Sequence, residues 1–157
     1  MSEQRPRVDG RDPGQAIEEM VEHVLGLAET WLGWDGKPVW GLGREYTPHK
    51  AVRRVADHMI DHLAQLDARL AGVPSLPDEW HASAITTDGD MAPFSIDDLD
   101  EARSRLRRLA QIWRIRLRSV PEREMDAPAG DDYTLREIAF CAVESGAYAD
   151  AIGPIGS

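Results

Sequence analysis

Four stretches of the chain repeat apolar residues at helical period, and each carries its own start and stop signals. In the first, Ile17, Met20, Val21, Val24, Leu25, Ala28, Trp31 and Leu32 share one face, behind Asp12 as N-cap, Pro13 at N1 and Gln15 at N3. The second opens at Thr47 and Pro48, stacks Val52, Val55, Ala56, Met59, Leu63, Leu66 and Leu70, and stops at Gly72 and Pro74. A third begins at Ser95 with Asp97, Asp98 and Asp100 and closes among Arg114, Arg116 and Arg118, the charge order that the helix dipole favours. Its stripe is Leu99, Ala102, Leu106, Leu109, Ala110, Trp113 and Leu117. The fourth starts with a capping box, Thr134 with Glu137, runs along Leu135, Ile138, Ala139, Ala142, Gly146 and Ala149, and ends at Gly153 and Pro154.

These signals predict helices over residues 13–32, 48–71, 95–119 and 134–152, with strand character limited to a few residues near 83–87. The fold class expected is all-α, a four-helix bundle. The stretch 72–94 exceeds the roughly 12 to 15 residues beyond which unstructured loops are uncommon, so it is expected as a long crossover between helices two and three. A 157-residue chain with 42% hydrophobic content suits one core, giving a single domain over 12–157 behind a flexible N-terminal tail, 1–11. Leu63, Leu66, Leu106 and Trp113, at the centres of their stripes, are expected to be nearly buried.

Charge narrows the function classes. With 18 basic and 28 acidic residues the net charge is −10, which repels phosphate backbones and anionic membrane surfaces. No nucleic-acid or membrane partner is therefore expected, and the run from Arg103 to Arg118 reads as a solvated helix face. The first residues hold no apolar run like that of a signal peptide, and no window reaches the length of a membrane span, so the expectation is a soluble cytoplasmic protein. Cys141 is the only cysteine, which excludes an internal disulfide and leaves that thiol buried, ligating or reactive.

Chemistry concentrates on two helices. His58 and His62 stand one turn apart, a spacing that aims two imidazoles at one metal. At 100° per residue from Val52 they fall about 120° and 80° to one side of the stripe, and Cys141 and Ser145 fall at the same two offsets from Leu135. His58, His62 and Cys141 are thus expected to converge on one groove between helices two and four, within reach of one divalent ion, zinc or nickel. Each has a plainer reading: the histidines as boundary residues, Cys141 as a small buried hydrophobe, Ser145 and Glu144 as helix surface, His23 as an exposed side chain. His81, beside Trp80 in the crossover, reads either as a cap on the groove or as the polar neighbour of an anchoring aromatic. The small residues Ala139, Ala142, Gly146 and Ala149 require either close helix approach or a pocket, which Trp31, Trp34, Trp40, Trp80 and Trp113 are numerous enough to line.

The run from Arg53 to Asp61, the segment Thr134 to Ile138 and the closing Tyr148 to Gly153 resemble the DinB/YfiT-like family of metalloenzymes, a resemblance that covers roughly residues 15–155. It implies a divalent metal held by a histidine early in helix two, matching His58 followed by Asp61, and by a His-x-x-x-His pair in the last helix. That pair falls on Cys141 and Ser145, a departure at two of three ligands. Family members include metal-dependent S-transferases that use low-molecular-weight thiols such as mycothiol or bacillithiol, and a homodimer is also implied. Two functions follow: a metal-dependent thiol transferase or hydrolase, or a non-catalytic bundle binding a small thiol or hydrophobic ligand, or serving as scaffold, after loss of the metal site. Nucleic-acid binding, a third, is opposed by the charge.

Overall fold

The computed structural model of the chain describes residues 5–77 and 84–156. The architecture is predominantly helical with one small hairpin. Helix α1 spans Pro13–Glu29, with the Asp12 carboxylate accepting from the backbone of Gln15 at 3.0 Å, and runs on into a 3₁₀ turn at Thr30–Gly33. Helix α2 spans Pro48–Ala71, capped by Thr47 and closed by Gly72 in the left-handed region at φ 69°. The αL stop is what a glycine at that position permits at no steric cost. Helix α3 (Ile96–Arg118) opens on a reciprocal capping box between Ser95 and Asp98, α4 is the single turn Glu122–Met125, and α5 (Leu135–Val143) opens on the Thr134–Glu137 box. A 3₁₀ turn at Glu144–Gly146 leads into α6 (Ala147–Ile152).

The structure differs from the sequence expectation at the last helix and just before α2. The last helix is broken: the Ser145 hydroxyl donates to the Ala142 carbonyl at 2.7 Å and the backbone tightens into the 3₁₀ turn that separates α5 from α6. A hairpin also forms before α2, with β1 (Val39–Gly41) antiparallel to β2 (Arg44–Tyr46) and Val39 opposite Tyr46. Leu42 and Gly43 join them at φ 52° and 73°, the two successive positive φ values of a type I′ turn. Leu is a poor residue for that conformation, so the usual Asn-Gly or Asp-Gly signal is missing. In the stretch expected to show strand character, 84–87 form no strand and Ser83 lies outside the described residues.

The core holds the predicted stripes in phase. Leu66, Leu106 and Trp113 are fully buried, as are Ile17, Val24 and Trp31 of the first segment. Leu63, expected to be nearly buried, is only partly so, and Leu32 and Leu70 stand 44% and 42% exposed. Beyond Met59 only Leu66 of α2 is fully buried, so that stripe runs past the packed core before its helix ends. Helix α1 packs on α3, α5 and α6, and α2 on α3, α5 and α6, while β1 lies on α6. The small-residue face serves close approach: a Cβ on Gly146 would meet Met20 Cγ at 3.0 Å, and one on Gly41 would meet Ala151 Cβ at 2.9 Å. Trp40 is 72% exposed, whereas Trp31 and Trp113 are core, their indole N–H groups donating to the carbonyls of Gly153 and Met59. Trp80 and His81 lie outside the described residues. Of the expected tail, Pro6 is buried, Arg5 pairs with Glu137 at 2.7 Å, and the Arg7 amide donates to Glu144 at 3.3 Å. Among the described residues no helix is long and apolar enough to cross a membrane.

Candidate functional site

His58 sits near the middle of the buried part of α2, a helix that packs on α5 and α6. Its Nε2 lies 2.9 Å from the Cys141 carbonyl and its Nδ1 3.1 Å from the Tyr148 hydroxyl. A carbonyl only accepts, so Nε2 carries the proton and donates to Cys141, and Nδ1 accepts from Tyr148. Burial, then the nearby His62 imidazole, pushes the His58 pKa down to about 3, so the ring is neutral at physiological pH. The His62 ring stands 4.6 Å from it, with Nδ1 at 2.9 Å from Gln65 Oε1, which accepts the proton. His58, His62 and the backbone of Cys141 are therefore neighbours across one seam.

The fourth position behaves differently. Ser145, read from the sequence as helix surface, is fully buried: its 3₁₀ turn rotates it toward α1, where its oxygen sits 3.7 Å from Met20 Sδ as well as bonding Ala142. Glu144 is exposed, as expected. His23 is also exposed and pairs with Asp150 at 2.6 Å. Asp61, the acid that follows the resemblance histidine, is exposed on α2, its pKa raised by partial burial and by Asp57.

Comparison with models of known families, with curated proteins and with solved structures gives no match to this chain. The chemistry of the seam must therefore be read from its own side chains.

Three side chains at this seam, Arg54, Tyr46 and Lys50, are not among the candidates singled out in the sequence. Arg54, one turn before His58, is buried; its Nη1 donates to the Tyr46 hydroxyl at 2.6 Å and its Nη2 approaches the Tyr148 hydroxyl at 3.4 Å. The guanidinium carbon lies 4.2 Å from the centre of the Tyr148 ring, a cation–π contact, and the two tyrosine rings stack at 6.0 Å. Lys50, one turn earlier again, is 1% exposed, its ammonium held by the Glu45 carbonyl at 2.6 Å and Thr86 Oγ1 at 2.8 Å. Burial and the adjacent arginines lower its pKa. The available signal was periodic: Lys50, Arg54, His58 and His62 recur every four residues, so stepping back from the histidines finds the whole basic ridge.

A cleft of about 700 Å³ opens beside this ridge, with His58, Tyr148, Met20, Val143 and Ala147 on its walls. Glu19, Glu144 and Asp150 stand on its rim with Arg11 and His23. As to a metal, among the described residues no three His, Cys, Asp or Glu side chains are grouped to hold an ion. Both His58 nitrogens face protein partners, and the buried Ser145 oxygen is turned to a carbonyl, so the resemblance ligand set does not fit an ion in this arrangement.

Proposed function

We propose that the protein is a DinB-like four-helix bundle that binds a small organic molecule in the cleft beside His58 and Tyr148 and holds no resident metal. The observation that carries this reading is the pair of hydrogen bonds on the His58 ring. Metal binding needs a bare imidazole lone pair, and here the only lone pair of the neutral ring accepts from Tyr148. His58 acts instead as a strut, joining Tyr148 of α6 to the Cys141 carbonyl of α5 and fixing one wall of the cleft. Mixed apolar and polar walls of this kind suit a small ligand with one or two polar groups.

Elemental analysis of protein purified without a histidine tag tests it, together with thermal melts in added zinc. The expected result is substoichiometric metal and an unchanged melting temperature, since an ion that does not bind the native state cannot stabilise it. A second reading, a zinc- or nickel-dependent thiol S-transferase, draws on the 4.6 Å separation of the His58 and His62 rings. One metal per chain and a zinc-induced rise in melting temperature would favour that reading and overturn the first.

A further inference from the structure

Lys50 and Arg54 are 1% and 7% exposed, and among the described residues neither makes an ion pair with a carboxylate. Buried cations are ordinarily neutralised by a paired anion, because moving an isolated charge out of water is expensive. Lys50 has two oxygen acceptors and can shed its proton, and its pKa is lowered in that direction. Arg54 cannot, since a guanidinium stays charged at any pH a protein survives.

The unmet capacity of Arg54 is directional. Nη1 is fixed to the Tyr46 hydroxyl at 2.6 Å, whereas Nε is buried with no hydrogen-bond partner and Nη2 has only the long 3.4 Å contact with Tyr148. Nε–H and the outer Nη2–H lie on one edge of the guanidinium, the edge that grips a carboxylate with two parallel hydrogen bonds. The Tyr148 ring lies against the guanidinium, its centre 4.2 Å from the guanidinium carbon, and Tyr148 also lines the cleft. We infer that Arg54 is the recognition group for a small organic carboxylate, which enters by the cleft, takes the Nε and Nη2 edge, and displaces the weak Tyr148 contact.

The surroundings select the ligand class. Glu19, Glu144 and Asp150 on the rim, with the net charge of −10, disfavour a multiply charged phosphate more than a monoanion. Met20, Val143 and Ala147 offer an apolar wall for the organic part. This inference deepens the metal-free reading of the cleft by naming what occupies it.

The test uses the full chain after chelator treatment, with arginine Nε–H groups followed by ¹⁵N NMR and stability followed by thermal melts. Acetate, hexanoate and benzoate are the carboxylate probes, benzyl alcohol the neutral one and phenyl phosphate the dianion. At least one carboxylate is expected to move the Arg54 Nε–H resonance and, at a hundredfold excess over Kd, to raise the melting temperature by about 5 to 10 °C. Arg54→Lys, which keeps the charge but loses the two-point edge, is expected to bind that probe at least tenfold more weakly. Should Arg54→Lys fail to fold, the resonance shift in the unmodified chain decides alone. The inference is overturned if all three carboxylates leave resonance and melt unmoved, if benzyl alcohol matches the best of them, if phenyl phosphate binds more tightly, or if folded Arg54→Lys retains the affinity. Stoichiometric metal in the purified protein alongside a carboxylate shift at Arg54 would remove the metal-free reading and leave the anion site standing.

Discussion

Between α1 and α3 the charges stand outside, whereas between α2 and the last helices they stand inside. Glu18, Glu22 and Glu29 of α1 pair with Arg114, Arg107 and Arg103 of α3 along the solvent edge of that seam, and its interior is Val21, Val24, Leu106 and Ala110. Across the other seam Arg54 and His58 point inward and are met by hydroxyls, a carbonyl and aromatic faces, and one turn before them Lys50 is buried against the Glu45 carbonyl and the Thr86 hydroxyl. An interface of the first kind needs only apolar period and opposite charges at its rim, and it tolerates change there. One of the second kind stakes stability on each hydrogen bond, because a polar group buried without its partner costs more than the bond itself contributes.

The largest effect expected lies in the apolar seam. Leu106 is fully buried at its centre, so Leu106→Ala should cost roughly 2 to 5 kcal/mol, measured by urea unfolding. A loss below about 1 kcal/mol would mean that α3 does not present this face to the core.

The polar seam should announce itself through pH. Unfolded His58 takes a proton near pH 6.5, whereas the folded ring, shielded by burial and repelled by His62, resists until about 3. Between those values the unfolded state binds more protons, so the stability present above pH 6.5 is lost as pH falls, by up to about 1.4 kcal/mol per unit from this one group. His58→Gln, which removes the titration, should flatten that slope in urea melts from pH 7 to 4. A slope unchanged by the substitution would show that His58 is solvated and that the seam is open.

Much of the helical layout is legible in the sequence, and the reason is physical. Caps at Asp12, Thr47 and Thr134 are local devices, each satisfied within three residues, and apolar stripes answer to one averaged core. What escaped depends on partners far along the chain. Arg54 reads as ordinary helix surface until Tyr46 and Tyr148 close over it, and Ser145 reads as exposed until its turn tightens against Met20. The hairpin escaped because three-residue strands joined by Leu42 and Gly43 carry almost no periodic signal. Helical angle alone points His58 toward the helix that carries Cys141, but it is the Cys141 backbone carbonyl that meets the ring, and the use of both His58 nitrogens is set by that carbonyl and by Tyr148.

A smaller effect probes how tightly the hairpin is held onto the last helix. A methyl on Gly41 would meet not only Ala151 Cβ at 2.9 Å but also its Cα at 3.3 Å and its carbonyl oxygen at 3.4 Å, and backbone cannot step aside as a flexible side chain does. Gly41→Ala should therefore destabilise by about 1 to 3 kcal/mol through overpacking, with Tyr46 and hence Arg54 disturbed as β2 shifts. Gly33→Ala, where nothing lies within 4 Å of the added carbon, is the matched control. Equal melts for the two variants would mean that the hairpin floats free of α6.

The smallest effect belongs to the outer charges, and it decides whether the two seams differ in kind. Glu22 and Arg107 pair at 2.9 Å with side chains 51% and 55% exposed, so water and salt screen both partners whether or not they touch. A double-mutant cycle with Glu22→Ala and Arg107→Ala should give a coupling of about 0.2 to 1 kcal/mol in dilute buffer. In 1 M salt, where the screening length falls to about 3 Å, that coupling should shrink toward zero. The inner contact between Arg54 and Tyr46 should behave oppositely under the same salt, because bulk salt screens little of a contact between a guanidinium that is 7% exposed and a ring that is fully buried. A cycle with Arg54→Lys and Tyr46→Phe would then keep its coupling across the salt series. If instead both couplings fade together, the α2 seam is as wet as the α1–α3 rim, and the contrast between buried and exposed charge collapses.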